Sequence, residues 1–188
     1  MKKLLILVFC IFFSATIYAE GFNGIFGIEF GNAQETVKKS MKEKGWNLSE
    51  TDGTTLIYKK SKGTYANLPV EKIKFFFFED RLYEIDVHFP INTKSDDVID
   101  AVKAIQETYS LTYVNDDKAN YDGSTILMYT YTDPKLNIFN LNVLAYKSLT
   151  STWFELKDFT ISNEKKAADE KKKQEETAKK NKSISSDL

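Results

Sequence analysis

EKIKFFFFEDRLYEIDVHF, residues 71–89, is the stretch that predicts most of the fold. After Arg81, apolar and polar residues alternate with the period of a strand that buries one face. The predicted buried face carries Tyr83, Ile85, Val87 and Phe89, and the predicted solvent face carries Glu84, Asp86 and His88. The phenylalanine run, 75–78, loads both faces, which is typical of a strand covered on both sides. Glu79-Asp80 is the only polar break, so a tight antiparallel hairpin is predicted.

The first 19 residues have the pattern of a secretory signal peptide. Lys2-Lys3 precede an apolar run from Leu4 to Phe13, and small residues lead to Ala19. The uncharged stretch 4–19 is shorter than the roughly 20 residues that a spanning helix needs. We therefore expect cleavage near Ala19 and export to the periplasm or the extracellular space, with an uncleaved tether as the alternative.

The only cysteine, Cys10, lies inside this predicted signal. The mature protein is therefore expected to have neither disulfides nor thiol chemistry, which fits a bacterial envelope protein better than a small stapled scaffold. The body, residues 20–163, is long enough to bury a core of its own and is predicted to form one domain.

The distribution of charge argues against a nucleic-acid partner. The chain has 26 basic and 27 acidic residues, and the predicted body has 16 basic and 21 acidic ones, a net charge of −5. Binding of nucleic acid would require a basic face. Residues 164–188 carry eight lysines and six acidic residues without an aromatic one, and they are predicted to form a charged tail, either helical or disordered. Membrane contact is expected only through an uncleaved signal or this tail.

The body shows the same order of predicted elements twice. One helix is predicted from the N-cap residue Asn32 to Gly45, with Glu35 completing a capping box. A second is predicted to begin at Thr93 or Ser95. Its predicted apolar side carries Val98, Val102, Ile105 and Tyr109. Further strands are predicted at 46–50, 54–60, 110–115, 124–132, 137–146 and 152–161.

Two similar segments, 52–58 and 122–129, support a duplication. Each begins with Asp-Gly, continues with two hydroxyl residues and an apolar run, and ends in tyrosine. The predicted fold class is α+β, a tandem repeat of one helix followed by about four antiparallel strands, with the helices packed on the sheet. The first repeat covers about 24–90 and the second about 91–163.

The segment 24–46 contains the pattern Phe-Gly-Ile-x-Phe-Gly-(x)5-Val. It resembles the opening of the BamE/SmpA outer-membrane-assembly lipoproteins and the beta-lactamase-inhibitor-like fold. The resemblance implies helices that precede an antiparallel sheet, in tandem in the inhibitor, and a role in binding or assembly. The chain lacks the lipid-attachment cysteine of the first group and the bridging cysteines of the second, and no functional residue is carried over.

Reactive groups are few. His88 is the only histidine, it falls on the predicted polar face of its strand, and no catalytic residue, cofactor or metal site is expected. Loop 115–123 is rich in oxygen ligands but fails the EF-hand spacing, so a solvated hairpin loop is predicted. Glu84, Asp86 and Asp133 leave a carboxylate-based hydrolase conceivable.

Aromatic residues offer another kind of site. A possible binding surface is formed by Tyr129, Tyr131, Trp153 and Phe154. Core packing is the alternative use of these rings. The predicted function is that of a non-enzymatic exported envelope protein that binds a protein or another envelope component. The alternatives are a carboxylate-based hydrolase and a purely structural component of the envelope.

Overall fold

The computed structural model describes residues 21–186, so the predicted signal peptide lies outside the described residues. The strands are β1 (Gly24–Ile25), β2 (Ile28–Glu29), β3 (Asn47–Asp52), β4 (Thr55–Lys59), β5 (Thr64–Tyr65), β6 (Leu68–Pro69), β7 (Lys72–Phe78), β8 (Arg81–His88), β9 (Thr112–Tyr121), β10 (Ser124–Thr132), β11 (Ile138–Tyr146) and β12 (Leu149–Lys157). The helices are α1 (Gln34–Glu43), α2 (Ser95–Tyr109) and α3 (Phe159–Ser186).

Eight of the strands form one antiparallel sheet in the order β3-β4-β7-β8-β12-β11-β10-β9. The predicted α+β class and the antiparallel sheet are thus confirmed. We call β3, β4, β7 and β8 the first half of the sheet and β9 to β12 the second half. Helix α1 precedes the first half in the chain, and α2 precedes the second. The halves meet at a seam where β8 pairs with β12.

The predicted hairpin is confirmed, with one change of register. Glu79 and Asp80 both adopt positive φ, 51° and 60°, as the type I′ turn between two strands requires. Phe76 lies opposite Glu84 but Phe77 lies opposite Leu82, so Tyr83 is the extra residue of a β-bulge. The predicted placement of Tyr83 on the buried face is therefore wrong. The bulge puts Leu82 there instead, fully buried.

The sheet has one covered face and one partly open face. Ile73, Phe75 and Phe77 are buried in the core, whereas Phe76 and Phe78 are only half-buried. The prediction that the phenylalanine strand is covered on both sides is wrong. We call the core side the inner face and the opposite side the outer face. The core on the inner face includes Val37 and Met41 of α1 and Val98, Ala101, Val102 and Ile105 of α2.

Helix α1 is capped by a distant residue. Its N-cap residue is Ala33, and the side chain of Asn32 instead accepts a hydrogen bond from the Glu29 amide. The Gln34 amide donates to Asp80 Oδ1 at 3.0 Å, so the hairpin turn caps the helix. The predicted end at Gly45 is confirmed, since its φ of 72° allows the Trp46 amide to donate to the Met41 carbonyl.

Helix α2 has the predicted apolar side but not the predicted caps. Its N-cap residue is Lys94, without a side-chain capping bond. Thr93 donates its hydroxyl hydrogen to the Pro90 carbonyl at 2.7 Å, and Ser95 is the first helical residue. The hydroxyl of Thr93 therefore closes the turn that leads out of β8.

Several strand boundaries differ from prediction, and the largest differences are at the C-terminal ends of β9 and β12. β9 runs to Tyr121 because it pairs with β10 along its length, so the predicted loop 115–123 is reduced to the turn at Asp122-Gly123. β12 ends at Lys157 instead of Ile161. Asp158 Oδ1 accepts a hydrogen bond from the Ile161 amide at 2.7 Å, which caps the start of α3.

Helix α3 includes most of the residues predicted as a charged tail. Ile161 in its first turn is buried. Arg81 of β8 lies 2.6 Å from Glu164, and the Lys165 ammonium lies 6.0 Å from the centre of the Tyr83 ring. The side chains from Lys166 to Lys180 are exposed. Within residues 21–186, no helix combines the length and apolar character that crossing a membrane requires.

Candidate functional site

The four aromatic residues of the predicted binding surface do not lie together. Tyr129 and Tyr131 lie on the inner face of β10, half-buried beside α2. Phe154 is fully buried in the core. Trp153 lies on the outer face, where it stacks on His88 with ring centres 5.8 Å apart. The structure therefore keeps the two tyrosines as one candidate surface and separates the other two rings from it.

A groove of about 460 Å³ lies between α2 and the second half of the sheet. Its apolar lining consists of Val98, Ile99 and Val102 from α2 and Tyr129, Tyr131, Leu141 and Val143 from the sheet. Ile99 is 48% exposed, although it belongs to a helix that packs on the core. The groove has the size and the apolar character of known ligand sites, which occupy about 300–1,000 Å³.

Polar groups border this groove. They are Thr93, Ser95, Lys103, Gln106, Thr150 and Thr152. Burial raises the pKa of the Tyr131 phenol, with a further contribution from Tyr129, so the hydroxyl stays protonated near neutral pH. The groove therefore offers an apolar floor with neutral hydrogen-bonding groups and one cation, Lys103. Such a surface can hold an apolar group in a fixed orientation, but it brings no nucleophile and base together.

The outer face carries a different kind of site, built by strand register. Asp86 pairs with Glu155, which pairs with Asn140, so three polar side chains lie in one row across the seam. The next row contains His88, Trp153 and Asn142. Oxygen atoms of Glu84, Asp86 and Glu155 all lie within 4.8 Å of one another. The sheet thus gathers three carboxylates that the sequence separates by up to 71 positions.

Lys157 is the cation closest to these carboxylates. Its Nζ lies 2.9 Å from Glu155 Oε1 and 3.5 Å from Glu84 Oε2. The pKa of Glu84 is raised to about 7, chiefly by burial and also by the neighbouring Glu155 and Asp86, against the attraction of Lys157. Burial lowers the pKa of Lys157, but Glu155 and Glu84 leave it above its usual value. Among the described residues, Lys157 is therefore the one ammonium within ion-pair distance of Glu84 and Glu155, and the pKa of Glu84 lies near neutral pH.

Several buried polar atoms in the two rows make no hydrogen bond within the described residues. They are Asp86 Oδ1, His88 Nε2, Asn140 Oδ1 and Asn142 Nδ2. His88 Nε2 lies 3.7 Å from Asp86 Oδ2, beyond hydrogen-bond distance. Asn140 Nδ2 donates to Glu155 Oε1 at 2.6 Å, which holds the carboxylate in place while the amide oxygen stays unpartnered. Buried polar groups without partners are rare and require an explanation.

The third carboxylate predicted from sequence, Asp133, has a structural role. It is buried in the connection between β10 and β11, where its Oδ1 accepts hydrogen bonds from the Lys135 and Asn137 amides. It does not belong to the outer-face group. Sequence reasoning missed Glu155, which takes the place that Asp133 was expected to fill, and it missed the groove residues Ile99 and Val143. The pattern that could have indicated Glu155 is the strand alternation along 151–157, which puts Glu155 on the face opposite Phe154 and Leu156.

Comparison of the chain with protein-family models, with curated proteins and with solved structures finds no match to any of them.

Proposed function

We propose that this chain is a non-enzymatic exported envelope protein that binds a partner protein through the groove between α2 and the second half of the sheet. The observation that carries the proposal is the half-exposed apolar floor of the groove, formed by Tyr129, Tyr131 and Val143. Apolar surface of this kind costs free energy when it faces water, at roughly 25 cal/mol per Å², so an occupant that covers it gains that amount.

The occupant that fits is an apolar segment of another protein. Tyrosine is enriched at protein interfaces because its ring is apolar and its hydroxyl stays hydrogen-bonded. The groove follows α2 from Ser95 to Gln106, roughly 17 Å at 1.5 Å per residue. That length matches about three helical turns of an amphipathic helix laid in a groove. The groove border supplies hydroxyl and amide groups for the polar edge of such a segment.

The repeat interpretation fits this role and remains part of the proposal. Each helix precedes four strands of the sheet, and the halves join through their last strands, β8 and β12. Two copies of one unit joined in this way would form a broad sheet surface. The resemblance to BamE/SmpA-like and beta-lactamase-inhibitor-like proteins points in the same direction, towards assembly or inhibition through protein contacts.

Site-specific crosslinking tests the proposal directly. A photo-crosslinking side chain is placed at Ile99, which is exposed in the groove, and a matched one at Leu136, which is 54% exposed in the β10–β11 connection outside it. We expect one protein to crosslink from Ile99 in intact cells and not from Leu136. With that protein purified, Ile99→Asp should weaken binding at least tenfold, about 1.4 kcal/mol, because a charge would enter the apolar lining of the groove.

Leu136→Asp is the control and should leave the affinity unchanged. Equal affinity of wild type and Ile99→Asp would show that the groove is not part of the interface. Crosslinking of a lipid or a small molecule from Ile99 would show that the partner is not a protein. A purely structural component of the envelope would give no crosslinked protein from either position.

The outer-face carboxylates favour a second candidate, a carboxylate-based hydrolase. In such enzymes, one carboxyl group with a raised pKa acts as the general acid while a neighbouring carboxylate stays ionised. The raised pKa of Glu84 beside Asp86 and Glu155 resembles this arrangement. The cavity that Glu84 borders is lined by Lys157 and α3 and does not include Asp86 or His88. Release of nitrophenol from aryl glycosides by the purified protein, abolished in Glu84→Gln, would support this candidate, and an inactive wild type would reject it.

A further inference from the structure

We propose that Glu84, Asp86, Glu155 and Asn140 bind a divalent cation of the calcium type on the outer face of the sheet. The proposal is independent of the groove and departs from the expectation, made from sequence, that no metal site is present. It rests on two separate observations, the convergence of three carboxylates and the unpartnered oxygens buried beside them.

Strand register places the four groups rigidly. Asp86, Glu155 and Asn140 occupy directly paired positions on β8, β12 and β11, and Glu84 lies two residues before Asp86 on the same face. All are in the interior of an eight-stranded sheet, where the backbone of each strand is held on both sides. Sites on such elements hold their ligands with greater accuracy than sites on loops.

The second observation concerns buried oxygens. Asn140 is 6% exposed. Its side-chain Nδ2 donates a hydrogen bond to Glu155, while its side-chain Oδ1 has no hydrogen-bond partner among the described residues. Asp86 is 7% exposed, and its Oδ1 also lacks a partner. Burial of an acceptor without a hydrogen bond costs about 1–3 kcal/mol. A cation bound between these side chains would satisfy both oxygens together with the two glutamates.

The donor set determines the class of cation. Carboxylate and amide oxygens without a thiolate are the ligands of hard cations. Magnesium demands near-ideal octahedral geometry and usually keeps several waters, whereas calcium accepts irregular sets of oxygen ligands. Three carboxylate oxygens that all lie within 4.8 Å of one another on a sheet therefore suit calcium better. Calcium sites in extracellular modules have dissociation constants on the order of 10⁻⁴–10⁻³ M, and we expect this range here.

Lys157 competes with the cation for the same carboxylates. Its single ammonium balances one of three acidic groups, and it contacts Glu84 and Glu155 but not Asp86. Lys74 on β7 lies opposite Asp86 on β8, but these two described residues do not form an ion pair. The long side chain of Lys157 can turn away when a divalent ion binds. Removing its charge should therefore strengthen cation binding.

Terbium luminescence tests the site, because terbium resembles calcium in size and ligand preference and is excited through a nearby indole. Trp153 lies on the outer face two residues before Glu155, whereas Trp46, the other tryptophan, is buried in the inner-face core. We expect terbium emission that calcium displaces, and we expect Trp153→Phe to reduce the emission severalfold while calcium affinity measured by titration calorimetry stays the same.

Variants of the ligands complete the test. Glu155→Gln should weaken calcium binding at least tenfold, and Lys157→Met should strengthen it by a similar factor. Asp116→Asn and Asp117→Asn on the exposed strand β9 are controls that should change nothing. Circular dichroism confirms that each variant is folded. If neither wild type nor Lys157→Met binds calcium at millimolar concentration, or if the β9 controls lose binding, the proposed site is rejected.

Discussion

Each half of the sheet follows one helix and contributes four strands, but the two halves differ in how their inner faces are covered. β4 and β10 hold equivalent positions, each second from an edge of the sheet. On β4, Leu56 and Tyr58 are 0% and 2% exposed, whereas the residues of β10 are half-buried throughout. Tyr58 and Tyr129 end the similar segments 52–58 and 122–129, and both lie on the inner face of these strands.

The first half of the chain contributes two short hairpins that have no counterpart between α2 and β12. Phe22, Ile25 and Ile28 around the β1–β2 hairpin and Leu68 of the β5–β6 hairpin are buried in the core together with α1. These segments also reach the second half, because Tyr65 packs on Phe154 and Phe22 packs on Tyr109. They leave the residues of β10 half-buried, and the groove is the space that stays uncovered there. One half is therefore packed for stability, and the other keeps apolar surface available, which is the arrangement a binding module needs.

Truncation of these two tyrosines should have very different consequences. Tyr58→Ala should lower the free energy of unfolding by about 3–5 kcal/mol, as for other large buried aromatic residues. Tyr129→Ala should lower it by about 1 kcal/mol, because its ring already contacts solvent. Urea denaturation of both variants measures the two values. Equal losses would show that the second half is packed as tightly as the first and would remove the basis of the groove.

Glu84, at the seam between the halves, should make the free energy of unfolding depend on pH. The pKa of Glu84 is raised from 4.5 to about 7 in the folded protein, so the native state binds this proton more tightly than the unfolded chain does. The free energy of unfolding should fall as pH rises from 4.5 to 7, by about 3 kcal/mol for this group alone, and then level off.

Glu84→Gln should remove most of that decrease. In buffer with a metal chelator, the variant and wild type should be equally stable near pH 4, and the variant should be more stable at pH 8. Urea denaturation across this range gives the comparison. A variant whose stability still falls with the wild-type slope would assign the titration to another group.

Much of the fold could be predicted from local pattern, because period and turn chemistry act between neighbouring residues. The alternation of the two faces along 85–89, the type I′ turn at Glu79-Asp80 and the end of α1 at Gly45 belong to this category, although Asp86, predicted on the solvent face, is buried. The errors arose where tertiary contacts compete with local rules. A bulge reversed the side on which Tyr83 lies, and Asp80 supplied the cap expected from Asn32.

The candidate sites were harder to predict because they depend on which strands become neighbours. The pairing of β8 with β12 brings Glu155 to Asp86 and places Trp153 against His88. The alternation that puts Trp153 on one face necessarily puts Phe154 on the other, so the two could not share one surface. The groove depends on the absence of covering segments over the second half, which no local pattern encodes.

The smallest expected effect concerns α3, which contacts the seam only through its first turns. Deleting 166–188 removes exposed side chains and surface pairs such as Lys165–Asp169, worth at most about 0.5 kcal/mol. The melting temperature should change by less than about 2 °C, while far-ultraviolet circular dichroism should lose helical signal.

Deleting 159–188 is the informative comparison. It also removes the buried Ile161 and the hydrogen bond from the Phe159 amide to Asn137 Oδ1 at 3.2 Å. Asn137 additionally donates to the Phe22 carbonyl at 2.9 Å, which links the first turn of α3 to the segment that precedes β1. This longer deletion should therefore lower the melting temperature by several degrees. A comparable decrease in melting temperature after deletion of 166–188 would mean that this part of α3 stabilises the sheet although its side chains from 166 to 180 are exposed.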